Sequence, residues 1–300
     1  MDYFFGLCIG GLTRGSIYAL LALGYTMVYG IIRLINFAHG EIYMIGAFTA
    51  LIAATVMNQF ALPAPAVFFL ALTLAVLVAA CYGVSVDSIA YRPLRSAPRL
   101  APLISAIGMS LFLQNYVMLT QTANFIPFPQ IVPEFPFLAP VKQIINSTQL
   151  VILAVTAAAM GVFTVLVRKT KLGRAMRATA EDRTMAMLCG VNVNRVIAFT
   201  FAVGSAIAAL GGTLISAHTG QINFTIGLIA GIKAFVAAVL GGIGSIPGAV
   251  LGSFILGATE SFASGYISSD YEDAFAFILL ILILVIKPAG LLGRNVKEKV

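Results

Sequence analysis

Residues 42–86 read IYMIGAFTALIAATVMNQFALPAPAVFFLALTLAVLVAACYGVSV, forty-five positions without one Asp, Glu, Lys or Arg. A water-facing surface cannot be built from such a run, whereas one crossing of lipid hydrocarbon takes about 20 apolar residues. Breakers from Asn58 to Pro65 divide it into two crossings. Comparable charge-free runs occupy 15–32, 100–133, 143–167, 196–232 and 234–259. Pro127 to Pro140 closes the third of all these runs, His218 to Asn223 splits the fifth and Gly241 to Gly248 splits the last. Eight or nine segments follow, near 15–32, 42–57, 66–87, 101–123, 148–167, 196–217, 226–241, 248–263 and 271–287. Every backbone amide in lipid needs an internal partner, and no alternating ten-residue barrel pattern is visible. The expected fold is an all-α polytopic membrane helical bundle, a single transmembrane domain over 1–300.

Composition agrees. Apolar residues make up 60% of the 300 and charged residues 10%, against about 25% charged in ordinary globular chains. Mean hydropathy is +1.00. A water-soluble enzyme is excluded. The net charge of +7 would suit nucleic acid, but its distribution argues otherwise. Of eighteen Lys and Arg, fourteen fall in three clusters: Arg92, Arg95 and Arg99; seven from Arg168 to Arg195; and Lys287, Arg294, Lys297 and Lys299. Between them lie connections nearly free of basic residues, including 124–147 with only Lys142, and an acidic turn with Asp270, Glu272 and Asp273. That alternation is the positive-inside bias, and it puts the three clusters and the C-terminus in the cytoplasm. Nucleic acid is not an expected partner; the lipid bilayer is.

Chemistry-bearing motifs are scarce. Cys8, Cys81 and Cys189 are odd in number and scattered, which suggests no disulfide and no metal site. With only His39 and His218 present, no catalytic triad is expected, and without a GxxxxGK[ST] motif the chain is not expected to bind nucleotide itself. Met1 to Leu12 lacks the basic n-region of a cleavable signal peptide and runs on into the first span.

The sequence also repeats. Ile35-Asn36-Phe37 recurs as Ile222-Asn223-Phe224, an offset of 187, and nine of the nineteen residues from Ile35 to Ala53 are identical at that offset; chance would give roughly two. Ala19, Ala22, Leu23, Gly24 and Thr26 likewise match Ala206, Ala209, Leu210, Gly211 and Thr213. Likeness of composition between two Ala/Gly/Ile-rich helices is the plainer explanation, and the gap-free run favours a true repeat with halves near 10–125 and 195–290. If every segment crosses, the halves are inverted, which places a permeation route at their interface. The matching segments 42–57 and 226–241 are about sixteen residues each. Should either be re-entrant, the repeat becomes parallel and the N-terminus changes sides.

Some charges sit in apolar sequence. Lys233 lies within one segment and Glu260 near the end of the next, where an ionisable group costs about 2.5–3.5 kcal/mol on insertion scales. Lys233 either faces a polar cavity or a carboxylate across the bundle, or its stem reaches toward an interface. His39 and Glu41 flank the first repeated motif and read as a polar turn at the membrane boundary, with a proton relay as the alternative. The basic loop 168–195 contains Thr179-Ala180-Glu181-Asp182, a capping-box form, and Gly190 stands where a left-handed helix C-terminus belongs. One short helix over 179–190 is expected. Its apolar Met185, Leu188 and Cys189 would rest on the chain's own spans or in a partner's groove.

Three separated blocks carry a family resemblance. Arg174-Ala175-Met176-Arg177-Ala178, Glu181-Asp182, Ala186 and Gly190 resemble the loop through which ATP-binding-cassette (ABC) importer permeases engage their ATPases. Asn36-Phe37-Ala38-His39-Gly40-Glu41, Met44, Gly46-Ala47 and the Gly241-Gly242-Ile243-Gly244-Ser245-Ile246-Pro247-Gly248-Ala249 block resemble the branched-chain amino acid permeases of the LivH type. The resemblance implies a bacterial inner-membrane subunit importing leucine, isoleucine and valine. Its implied partners are a LivM-type second permease, two cytoplasmic ATPases that bind the ATP and magnesium, and a periplasmic amino-acid-binding protein. Arg174, Arg177, Glu181, Asp182, Ala186 and Gly190 would couple to the ATPase. Asn36, Phe37, His39, Asn223, Phe224, Lys233, Gly242 and Gly244 would line the route. The rival reading is a passive channel or proton-coupled secondary transporter for a small polar solute. A capped cytoplasmic helix, for which a channel has no evident use, separates the two.

Overall fold

The computed structural model describes residues 1–95, 97–98, 100–136 and 144–293. Arg99, Lys142, Arg294, Lys297 and Lys299 of the charge pattern lie outside them. In chain order the helices are α1 (Asp2–Ile32), α2 (His39–Asn58), α3 (Ala64–Val86), α4 (Leu100–Thr120), α5 (Ser147–Lys169), α6 (Lys171–Glu181), α7 (Arg183–Leu188), α8 (Val193–Thr219), α9 (Ile226–Gly241), α10 (Ile246–Tyr266) and α11 (Glu272–Ile286). Two short strands, β1 (Ile126–Pro127) and β2 (Gln221–Ile222), pair antiparallel. Among the described residues, seven helices are long and apolar enough to cross a membrane: α1 to α5, α8 and α10. The apolar α9 and α11 are shorter, with 16 and 15 residues. The protein is an all-α polytopic bundle.

Several boundaries differ from expectation. α1 begins at Asp2 rather than 15 and holds Arg14 within it; the charge that seemed to end a segment is carried inside one by pairing with Glu272. α2 has 20 residues, about 30 Å at 1.5 Å per residue, so the matched segments are not equally short. The basic loop forms two helices, not one. α6 is capped by Thr170, whose Oγ1 accepts from Gly173 N at 3.0 Å. α7 is capped by Asp182, whose carboxylate accepts from Thr184 N at 2.7 Å and Met185 N at 3.0 Å. Thr179 lies inside α6 and donates to Ala175 O at 2.8 Å, so the capping-box reading fails. Gly190 has φ +81 just beyond α7.

Small residues bring the long helices together. On α1, Gly11 and Gly15 leave no room for a Cβ against Ala258, Ser253 and Phe254 of α10, while Gly257 of α10 faces the backbone of Gly11 and Gly15. On α3, Gly83 meets Phe201 and Ser205 of α8 in the same way. Close backbone approach of this kind is how helices gain packing energy where the solvent is itself apolar. α1 against α10 and α3 against α8 are the two most extensive helix contacts. At the 187-residue offset α1 corresponds to α8 and α3 to α10, so the two contacts exchange.

The ends are distinguishable. At one end Arg183 of α7 reaches the C-terminus of α1, and Arg95 joins Asp87 and Asn194. At the other, β1 and β2 close the α4–α5 connection onto the α8–α9 turn.

Candidate functional site

At the centre, a polar knot is built on the first turn of α2. His39 and Glu41 are 1% and 0% exposed, which corrects their reading as a boundary turn. The turn enters the bundle because Gly24 of α1 leaves space that the His39 imidazole fills, and Gly204 of α8 borders the same space. Tyr25 packs edge-on to His39 with ring centres 4.8 Å apart. Glu41 accepts a hydrogen bond from Ser110 of α4 at 3.1 Å. Asn36, just before the turn, accepts from the Tyr91 hydroxyl at 2.9 Å. Phe37 packs near Phe235 and lines a cavity of about 130 Å³ shared with Tyr25, Ser110 and Gly227.

Toward the β1–β2 end, α9 carries the second copy of the motif. Asn223 donates its Nδ2 to Thr225 Oγ1 at 2.8 Å, and Phe224 is half-buried against the core. Lys233 is 13% exposed and pairs with Glu260 of α10 at 3.2 Å, Glu272 at 3.1 Å and Asp273 at 2.8 Å. Of its two sequence readings, the carboxylate partner is the one present. Glu260 is fully buried and also accepts from the Tyr18 hydroxyl at 2.6 Å. Arg14 pairs with Glu272 at 2.7 Å. The network ties together α1, α9, α10 and α11. Its three carboxylates lie close enough to share a cation, and the Lys233 ammonium supplies one. Asn223, Arg14, Tyr18 and Lys233 also line a cavity of about 290 Å³.

At the opposite end, Gly242 and Gly244 have φ of +104 and +93 and form the turn between α9 and α10. A Cβ on Gly242 would collide with Gly293. Gly244 borders a cavity of about 950 Å³ with Arg168 and Arg177. Arg174, Glu181, Asp182 and Gly190 are exposed, and Ala186 is buried at 4%. Arg177 donates to Val167 O. Met185, Met187 and Leu188 of α7 are exposed by 62%, 55% and 77%. Arg183 donates through Nη2 to the carbonyls of Ile31 and Ile32, each at 2.8 Å. Helix C-terminal carbonyls lack partners within their own helix and attract a cation. Burial first, then the charges of Arg95 and Arg33, hold the Arg183 pKa below the ordinary arginine value.

The expected route residues therefore do not share one chamber. Asn36, Phe37 and His39 lie at the centre, Asn223 and Lys233 at the β1–β2 end, and Gly242 and Gly244 at the α6–α7 end. Sequence reasoning did not single out Arg14, Tyr18, Ser110 or Arg183. Arg14 was findable as the only basic residue before Arg33; Arg183, one of seven in its loop, had no such mark.

The family described as branched-chain amino acid transport system, permease component, matches residues 7–284. The chain is 49% identical over 296 residues to the high-affinity branched-chain amino acid transport system permease protein BraD of Pseudomonas aeruginosa, across 97% of this chain and 96% of that one. It is 47% identical over 302 residues to the corresponding LivH of Escherichia coli, across 99% and 98%. Among solved structures, PsaBC from Streptococcus pneumoniae in complex with Fab aligns at TM-score 0.44 and 13% identity, covering 96% of this chain and 91% of that one.

Proposed function

This chain belongs to the family of branched-chain amino acid transport system permease components, and from that premise we propose how it carries leucine, isoleucine and valine across the membrane. It is the permease subunit of an ABC importer and not an enzyme. ATP is used by partner ATPases, and an amino-acid-binding protein delivers the substrate. The observation that carries the assignment is identity of 47–49% along nearly the whole chain to curated permeases.

Finer features are our reading. A LivM-type permease completes the pathway and two ATPases sit beneath, in a bacterial inner membrane with the C-terminus in the cytoplasm. The exposed apolar residues of α7, with Glu181, Asp182 and Gly190 around them, offer the ATPase contact. The reciprocal packing of α1 with α10 and α3 with α8 supports an inverted repeat with halves near 10–125 and 195–290. ATP-driven motion of α6 and α7 passes through Arg183 to α1 and through the 183–193 connection to α8. These two helices border the central motif, so their tilt exposes the route to alternate sides. Transport is vectorial because ligand and nucleotide each bind the two arrangements with different affinity. The knot at Asn36, Phe37 and His39 serves as the constriction, and the glycine turn at Gly242 and Gly244 as the inner exit.

Deleting the chain from its cell should abolish high-affinity uptake of the three amino acids, and returning it should restore all three. Unchanged uptake in the deletion would contradict the assignment.

A further inference from the structure

The cavity of about 290 Å³ at the β1–β2 end has a chemistry that the pathway reading does not use. Its volume is at the lower bound for ligand pockets, suited to a single small metabolite. Of its lining residues only Arg14 and Lys233 are charged, and both are cations. Their counter-ions Glu260, Glu272 and Asp273 stand behind the wall. The remaining lining includes four isoleucines, Ile17, Ile215, Ile226 and Ile229, with the rings of Tyr18, Tyr43 and Phe125 and the polar Thr219 and Gln221. Asn223 gives one Nδ2 hydrogen to Thr225, and its Oδ1 is an acceptor that can meet a ligand's ammonium. One face carries the two cations, one edge offers an amide oxygen, and isoleucines and aromatic rings shape the apolar part.

We propose that this cavity is a resting site for the free α-amino acid: its carboxylate lies toward Arg14 and Lys233, its ammonium meets Asn223 Oδ1, and its branched side chain lies among the isoleucines. The proposal rests on the permease reading and deepens it. The delivered substrate meets a charge-matched pocket at the end of the bundle away from α6 and α7, before the central constriction. Lys233 stays with its three carboxylates and contributes its charge from beside the ligand, while Arg14, paired with Glu272, has further guanidinium N–H groups to give the carboxylate. A ligand without the carboxylate leaves the further donors of Arg14 unused, and one without the ammonium leaves Asn223 Oδ1 unused. The site thus selects the zwitterion and is tolerant among aliphatic side chains.

The test is photolabelling of the full-length chain, in its assembled complex in lipid nanodiscs, with the diazirine analogue of leucine, followed by peptide mapping. Labelling should concentrate on Ile17, Ile215, Ile226 and Ile229. Excess L-leucine should suppress it, and equal concentrations of isoamylamine or isovalerate should not. Arg14→Gln should weaken it about tenfold, the scale of losing one hydrogen bond to a charged group, and Arg14→Lys should restore most of it. Ile226→Trp, which fills the cavity without touching the ion network, should abolish it. Labelling spread over lipid-facing residues such as Phe112 and Leu119 would overturn the proposal, as would equal competition by isovalerate, which would reveal a mere anion site. Leucine uptake by the same preparation separates the two levels of failure. Normal uptake without cavity labelling removes this site alone, and absent uptake strikes the permease reading beneath it.

Discussion

Gly40 and Gly227, which occupy the same place in the two motif copies, stand backbone to backbone, each so close to the other's carbonyl that neither has room for a Cβ. The first turns of α2 and α9 meet at this point, and Glu41 closes over Gly227 beside it.

Gly40→Ala and Gly227→Ala should therefore each destabilise the bundle, by about 1–3 kcal/mol as overpacking does. Gly30→Ala, at a helical position with nothing within 4 Å of the added atom, should be neutral or slightly stabilising. Thermal unfolding in detergent measures all three. Equal effects at Gly30 and Gly40 would show that the close approach is not what the motif glycines serve.

Lys233 compensates a fully buried carboxylate. Lys233→Met should cost about 3–5 kcal/mol, because Glu260 is left as an unpaired buried charge. Adding Glu260→Gln should recover a large part of that loss, whereas Glu260→Gln in the parent chain should be milder than Lys233→Met alone. Strictly additive losses in this double-mutant cycle would contradict the coupling.

In the proposed coupling path Arg183 is the link between α7 and the end of α1. Arg183→Gln removes the charged donor at the end of α1 and should leave ATPase association and hydrolysis intact while uptake falls about tenfold. The readout is leucine transported per ATP hydrolysed, which a folding defect would not change selectively. An unchanged ratio would reject the link.

Gly190→Pro combines two faults: φ +81 is out of reach of proline, and the lost N–H donates to Met187 O at 2.9 Å. Co-purification of the ATPase should be lost while membrane insertion remains normal. Glu181→Lys, an exposed change at the end of α6, should act on the same contact by charge alone. Retained co-purification and uptake in both would place docking elsewhere.

Much of this was legible in the sequence, for physical reasons. Lipid admits few charges and no unpaired backbone, so charge-free runs and their breakers mark the helices, and the gap from Gln59 to Pro63 and the turn after Gly241 fall where breakers cluster. The central site was less legible because its polar residues are buried by elements distant in the chain. His39 and Glu41 read as a boundary when only their neighbours in the chain are considered. They are interior because Gly24, Ser110 and Gly227 come from three other helices. The α6–α7 break was missed because Thr179-x-x-Asp182 satisfies a local capping rule. An 11-residue helix capped at Thr170 instead runs through Thr179 and leaves Asp182 to cap the next. Arg14 lies 258 residues from Glu272, a separation that no local pattern bridges.

Uptake of labelled leucine into sealed vesicles tests the central claim most directly, using this chain, its partner permease, the two ATPases and the binding protein, with each component omitted in turn. Accumulation against a gradient should require ATP and every component, and vesicles holding this chain alone should neither concentrate leucine nor leak it. Uphill accumulation or rapid equilibration by the single chain would contradict an ATP-driven permease and favour a self-sufficient transporter or channel.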